Sequence, residues 1–396
     1  MNFNFLGDSR FSSKRFAAAI LLTSGTLAWF FLIQFNIGNL FTNAAALLFY
    51  VFAAVSAIAA SLISGKVDNR IFIFCWIALG VLSTVLLTLF PQRVFMPFLS
   101  SLLGLSLGLG LPSTMAFIAD CTFIEERARI SGITIFGTFG LAIFVMITTR
   151  ILDFGLSTLI LLFALVRSTS FLALVLDKFD EKNMRKEEVP RPDYKDFVSY
   201  IIPWMMFIFV SMLAWNLIPQ DQYTSAVTVG QMFRFICIAV FGFISGFIAD
   251  RFGRKPSIII GLIVLGVSFA ILGQGMSESN VIVYLTTSGV AWGSFFAMYL
   301  VIPGDLSISG SREKFYALIT VLPMILLGSV PFIPGLADFT RYSSSFSQIL
   351  SLILFLSIIP VLRAKETLPD IKMRERRLKD HVEKVGKLVS KSKKKE

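Results

Sequence analysis

The chain has 396 residues, of which 55% are hydrophobic and only 15% are charged, and its mean hydropathy is +0.77. Soluble domains carry about 25% charged residues, so this composition excludes a soluble globular protein and indicates one that crosses a membrane many times. The net charge of +11 does not indicate nucleic-acid binding, because the cations lie in the tail 363–396 and in short segments between apolar runs.

Twelve stretches of the chain have the length needed to cross a bilayer, which is about 20 apolar residues. They are 16–35, 41–63, 71–90, 94–118, 129–150, 156–176, 198–218, 226–249, 256–273, 280–303, 314–334 and 344–362. Since irregular backbone cannot lie exposed in lipid, each stretch is predicted to be a helix. The fold class is therefore predicted to be an all-α polytopic membrane protein with twelve transmembrane helices.

The distribution of lysine and arginine predicts the orientation. With a cytoplasmic N-terminus, the cytoplasmic segments hold 31 of the 36 basic residues, and the opposite side holds Arg93, Arg150 and Arg341. This excess satisfies the positive-inside rule. We therefore expect an integral protein of the cell membrane with both termini in the cytoplasm.

The longest internal loop divides the twelve runs into six and six. We predict an N-terminal bundle at 1–176, a cytoplasmic loop at 177–197, a C-terminal bundle at 198–362 and a basic cytoplasmic tail at 363–396. The halves repeat at an offset of 185 residues, which aligns Asp305 with Asp120 and Arg312 with Arg127. Six helices per half keep the same topology when copied, so the repeat is parallel.

The turn between the eighth and ninth runs carries the most specific motif. It reads Gly-Phe-Ile-Ala-Asp-Arg-Phe-Gly-Arg-Lys over Gly246–Lys255, and it resembles the signature loop of the major facilitator superfamily at every fixed position. The resemblance implies two six-helix bundles around a central cavity and a latch that closes the cytoplasmic side. The residues expected to form this cytoplasmic gate are Gly246, Asp250, Arg251, Gly253, Arg254, Lys255, Lys66, Arg70, Asp120, Glu126 and Asp305.

Simple electrostatics predicts how the gate is held. A carboxylate is stabilised at the positive end of a helix, so Asp250 is expected at the start of the fifth helix, near Arg129. Arg251 and Arg254 are expected to pair with carboxylates such as Asp305 and Glu126. The first copy of the motif has Gly65 in the place of Asp250, so its latch is expected to be weaker.

The predicted helices contain two arginines and no carboxylate. An arginine at membrane depth normally faces protein or a wet cavity, and the resemblance places the eighth helix beside the cavity. Arg234 is therefore the main candidate for binding a substrate anion, and a purely structural arginine is the equal alternative. Arg167 in the sixth helix is expected to be structural. The candidate substrate-binding residues are Arg234, Gln231, Trp29, Asn216, Tyr284 and Trp292.

These observations favour a secondary transporter that works by alternating access, with a modest preference for an organic or inorganic anion. A proton-coupled multidrug or sugar carrier is the alternative within the fold, although no acidic residue or histidine lies inside a predicted helix. A non-transporting receptor or scaffold is the alternative from another class. An enzyme is not expected, and neither is a catalytic residue, metal or cofactor.

The expected partners follow from the same composition. They are a small-molecule substrate and the lipid bilayer, with no nucleic acid, and the protein is expected to be a monomer. In the tail, Leu378, Val382, Val385 and Val389 are spaced like one face of a helix among cations, which suggests contact with anionic lipid. A solvated tail is the equal alternative.

Overall fold

The computed structural model describes residues 13–63, 68–177, 194–219, 222–308, 310–329, 332 and 343–369. The membrane helices, numbered α1 to α12, are Ser13–Phe35, Asn43–Ile63, Asn69–Leu89, Met96–Cys121, Arg127–Ile151, Leu156–Ser168 with Phe171–Leu176, Tyr194–Leu217, Thr224–Phe252, Arg254–Leu272, Glu278–Tyr299, Arg312–Ser329, and Ser343–Leu356 with Ile358–Arg363. Two short helices, Ile37–Leu40 and Ile302–Asp305, lie between them. These helices form two six-helix bundles, as the sequence predicts.

Eleven helices in the described residues are long and apolar enough to cross a membrane. The remaining membrane helix, α11, opens with three charged residues at Arg312, Glu313 and Lys314. Residues 330–331 and 333–342, where its predicted end and Asp338 fall, are outside the described residues. The predicted and observed helices otherwise agree to within a few residues.

α10 ends earlier than its apolar run predicts. The helix stops at Tyr299, and the chain then forms the short helix Ile302–Asp305. The hydroxyl of Tyr316 on α11 donates a hydrogen bond of 2.7 Å to the carbonyl of Leu300, where the helix is interrupted. The interruption leaves Asp305 fully buried at the end of the bundle, within reach of α5 and α9.

The bundles pack against each other through α5 with α8 and α2 with α11. On the first of these contacts, a side chain at Gly246 would overlap the carbonyl of Ala128 and crowd Gly132. Glycine therefore permits the backbones of the two halves to touch. Within the N-terminal bundle, Gly104 and Gly108 bring α4 against the backbone of α2 in the same way, as small residues do between membrane helices.

Several predicted features lie outside the described residues. They are Lys66, Gly65, Asp221, most of the central loop, and the tail beyond residue 369, with its expected lipid contact. The side chain of Asn216 is also outside them, although α7 includes its backbone. The boundaries of the two halves stay predictions.

Candidate functional site

Asp250 lies at the start of α5, in the opposite half of the molecule, where electrostatics predicts it. Its carboxylate accepts hydrogen bonds from the backbone N–H groups of Ala128 and Arg129 at 3.2 and 2.9 Å. The guanidinium groups of Arg129 and Arg254 each contact it at 3.2 Å. A buried carboxylate thus satisfies the unpaired N–H groups of a helix terminus and two cations together.

Asp305 joins three segments of the chain. Its Oδ1 accepts from Nη1 of Arg127 at 2.5 Å, while its Oδ2 accepts from Nε of Arg254 at 3.2 Å and from the hydroxyl of Thr367 at 3.1 Å. The side chains of Arg127, Arg254 and Asp305 are at most 1% exposed. This pairing of Arg254 with Asp305 agrees with the sequence-based expectation, and the Arg127 contact adds a bridge between the halves.

A second ion pair between the halves is the repeat equivalent of the first. Nη1 of Arg312 lies 2.5 Å from Oδ1 of Asp120, and these residues are the equivalents of Arg127 and Asp305 at the offset of 185. Each half therefore gives its arginine to the other half's aspartate. We call the following set the gate network: Asp120, Arg127, Arg129, Asp250, Arg254, Asp305 and Arg312.

The other predicted gate residues have different surroundings. Arg70 and Arg251 are exposed, and Arg251 lies 5.6 Å from the ring of Phe252. Glu126 accepts a weak hydrogen bond of 3.4 Å from the backbone N–H of Phe123. Burial raises the pKa of the Glu126 carboxyl above its ordinary value, and that hydrogen bond opposes the rise. In the first copy, Asp68 caps its own helix α3 at Arg70 and Ile71.

A segment after α12 completes the gate network, and sequence reasoning gave it little weight. Glu366 accepts from the backbone N–H groups of Arg254 and Lys255 at 2.7 and 3.1 Å, which caps α9. Nζ of Lys255 donates to the carbonyl of Ala364 at 2.6 Å. In the sequence, residues 363–369 follow the last predicted helix and begin the basic tail, so nothing there indicates a contact with α9.

Arg234 lies in α8 among unsatisfied polar atoms. It is 9% exposed, and its guanidinium carbon lies 5.6 Å from the ring of Trp292 on α10. In the part of the chain that the structure describes, Nε of Arg234, Oε1 of Gln231 and Nε1 of Trp292 are buried without a hydrogen-bond partner. Tyr284 is close enough to interact electrostatically with the guanidinium. Four of the six candidate binding residues therefore lie on α8 and α10.

Trp29 belongs to different surroundings. It is fully buried, its Nε1 donates to the hydroxyl of Thr84 at 3.0 Å, and Arg167 lies 4.8 Å from its ring. Among the described contacts, Trp29 forms no hydrogen bond or ring contact with Arg234 or Trp292. The candidate substrate-binding residues therefore lie in both halves of the molecule, and Trp29 is apart from those on α8 and α10.

Phenylalanines close the space between the bundles beside Arg234. Phe31 of α1 lies 5.0 Å from both Phe139 of α5 and Phe296 of α10, measured between ring centroids. Phe35 lies 4.5 Å from Phe235, the residue after Arg234. The contacts Phe31–Phe296 and Phe35–Phe235 join one half to the other, so apolar rings lie between the arginine and the N-terminal bundle.

Comparison with solved structures places the fold. No protein-family model and no curated protein matches the chain. The crystal structure of the human organic anion transporter MFSD10 matches with a TM-score of 0.66 and 13% identity, over 88% of this chain and 99% of that one. The structure of the proton:xylose symporter XylE matches with a TM-score of 0.65 and 13% identity, over 90% and 97%. The chain has the fold of the major facilitator superfamily.

Proposed function

We propose that the protein is a secondary transporter that carries a small organic or inorganic anion across the cell membrane by alternating access. The observation that carries this proposal is Arg234, a buried cation on α8 with unsatisfied polar atoms around it. The proposed site consists of Arg234, Gln231, Tyr284 and Trp292, with Asn216 as a further predicted contact.

The free energy of burying Arg234 favours an anionic ligand. An arginine at the centre of a membrane costs about 2.5–3.5 kcal/mol on insertion scales, and the guanidinium remains charged. Among the described residues no carboxylate pairs with it. A carboxylate, phosphate or sulfate group would supply the missing charge and accept from Nε, while Gln231 can donate to it through its amide.

The gate network supports alternating access. Its bridges Arg127–Asp305, Arg129–Asp250 and Arg312–Asp120 each join one half to the other. A bundle that rocks away must break all three, so they stabilise the state closed at this end. Ligand binding can shift such an equilibrium only through different affinities for its two states.

The alternatives differ in what they require. Organic-anion and proton:xylose transporters share this fold, so the fold alone does not select the substrate. A proton-coupled carrier needs a titratable group at membrane depth. Among the described residues the buried carboxylates are Glu126, Asp196, Asp250 and Asp305, and these lie at the gate end. A receptor or scaffold would bind ligand and transport nothing.

The proposed arrangement in the membrane follows from the charges. Both termini and the gate network lie on the cytoplasmic side, the halves are 1–176 and 198–362, and the loop 177–197 joins them. The protein acts as a monomer, and its basic tail contacts anionic lipid.

A ligand screen with a flux assay tests the function. Purified protein is screened by thermal shift against organic anions, inorganic anions, neutral sugars and lipophilic cations, and each hit is tested for counterflow in proteoliposomes. We expect hits among the anions and counterflow of at least one. Binding without counterflow would favour the receptor alternative, and a neutral or cationic substrate would contradict the anion assignment.

Substitution of Arg234 tests the site. Lysine retains the charge but not the planar fork, so Arg234→Lys should weaken anion binding and Arg234→Gln should nearly abolish it in folded protein. Arg93→Gln is the matched control, because Arg93 is exposed in the loop before α4. Transport that is indifferent to Arg234→Gln would leave this arginine with a structural role.

A further inference from the structure

A second buried arginine lies wholly inside the N-terminal bundle. Arg167 of α6 is 0% exposed, and its guanidinium carbon lies 4.8 Å from the ring of Trp29 and 4.4 Å from the ring of Trp76. These rings come from α1 and α3. Cation–π contact with two indoles stabilises the charge, but it satisfies none of the N–H groups.

Three donor atoms at this place have no hydrogen-bond partner among the described residues. Nη1 of Arg167 donates to the hydroxyl of Thr26 at 2.6 Å, whereas Nε and Nη2 donate to nothing. Nε and Nη2 share one edge of the planar guanidinium, the fork that binds anions with two parallel hydrogen bonds. Nε1 of Trp76 is also buried without a partner.

The neighbouring hydroxyl groups do not satisfy these donors. Thr26 donates to the carbonyl of Leu22 at 2.7 Å, Thr84 to that of Gly80 at 2.6 Å, and Ser106 to that of Trp76 at 2.7 Å. Among the described residues no carboxylate pairs with Arg167. The site therefore has a positive charge with no described counter-charge and three donor atoms with no described acceptor.

We propose that Arg167 and Trp76 bind a small monovalent inorganic anion of halide size, buried between α1, α3 and α6. One charge neutralises the guanidinium, and an ion of this size suits a site whose lining residues are at most 1% exposed. A Cβ at Gly80 would lie 2.8 Å from Nε and 2.6 Å from Oγ of Ser106, so only glycine leaves this edge of the guanidinium accessible. The site is separate from the one proposed around Arg234.

Anion-dependent stability tests the proposal. The melting temperature of the purified protein is measured in bromide, chloride and gluconate at equal ionic strength. We expect a saturable rise in bromide and chloride over gluconate, no rise in Arg167→Met, and about tenfold weaker halide affinity in Trp76→Phe, which loses one hydrogen bond to the ion. Arg93→Met, at an exposed arginine outside both proposed sites, is the matched control and should keep the rise.

Anomalous scattering from crystals grown in bromide gives a second measurement, which does not require the arginine variant to fold. A peak beside Nε and Nη2 of Arg167 would support the site. The proposal is wrong if wild-type protein melts at the same temperature in bromide and gluconate, or if the rise persists in Arg167→Met. Absence of the peak at a bromide concentration that saturates the melting shift would also overturn it.

Discussion

Asp120 and Asp305 occupy equivalent positions in the two halves, but their surroundings differ. Asp305 is fully buried and accepts from Arg127, Arg254 and Thr367. Asp120 pairs with Arg312, and its side chain is 15% exposed. Removal of the Asp305 charge takes away a carboxylate that two buried guanidinium groups share, which costs more than the loss of a partly solvated pair.

We expect Asp305→Asn to be much more destabilising than Asp120→Asn. Breaking a buried ion pair costs about 3–5 kcal/mol, and the partial solvation of Asp120 should make the cost smaller there. Thermal shift of the two variants in the same detergent provides the comparison. Equal losses would mean that water reaches Asp305 as readily as Asp120.

The sequence predicted the contacts of some gate residues and not of others. Asp250 was placed correctly because a motif carboxylate and a helix start are both visible in sequence, and their attraction is general. The roles of Glu366 and Thr367 were not foreseen because both lie outside any helix. Their contacts with α9 and Asp305 depend on how the chain folds back after α12.

The turn between α8 and α9 buries one of its two arginines, Arg254, and leaves the other, Arg251, exposed to solvent. Gly253 has φ of 105°, a conformation that favours glycine. The next residue, Arg254, is fully buried and also donates to the carbonyls of Ala249 and Ile124, while Arg251 is exposed. Two arginines of one motif therefore have different environments.

Arg254→Ala should open the gate end far more than Arg251→Ala or Arg70→Ala. Arg254 contacts both Asp250 and Asp305, so its loss leaves two buried carboxylates with fewer donors. Cysteine labelling from the gate side measures accessibility, and the exposed Arg251 and Arg70 provide controls for the loss of charge. A larger effect at Arg70 would assign the main latch to the first copy of the motif.

The crossing of α5 and α8 gives a test that involves no charge. A methyl group at Gly246 would overlap the carbonyl of Ala128, whereas one at Gly140 meets nothing within 4 Å. Gly246→Ala should therefore separate the halves at the gate end and increase labelling there, and Gly140→Ala, on the same pair of packed helices, should not. Similar labelling of both variants would show that the crossing adjusts without opening.

At the scale of the whole molecule, hydrophobic length predicted the twelve helices, and the repeat predicted two equivalent halves. The exchange of partners across the halves was not predicted, although the offset had already aligned Arg127 with Arg312 and Asp120 with Asp305. Periodicity reveals which positions are equivalent, but only packing determines that an arginine reaches the aspartate of the other half. Packing also determines that Trp29 does not contact Arg234, although the sequence predicted both for one binding site.

The proposed binding residue and the gate network lie at separate places along α8. Asp250 and Arg234 are sixteen residues apart on α8, which is about 24 Å along a helix. Asp250→Asn keeps an acceptor for the N–H groups of α5 but removes the charge that Arg129 and Arg254 contact. A hydrogen bond to a charged group contributes about 1.5–3 kcal/mol. The state closed at the gate end should therefore lose about tenfold or more in relative population.

We expect Asp250→Asn to slow counterflow while the affinity for the anion stays within a few-fold of wild type. Arg234→Gln should show the opposite pattern, with little change in labelling at the gate end and almost no binding. Measurement of affinity, labelling and counterflow in both variants separates the two roles. If Asp250→Asn abolishes binding in folded protein, the gate and the site are one unit, and the proposed separation along α8 is wrong.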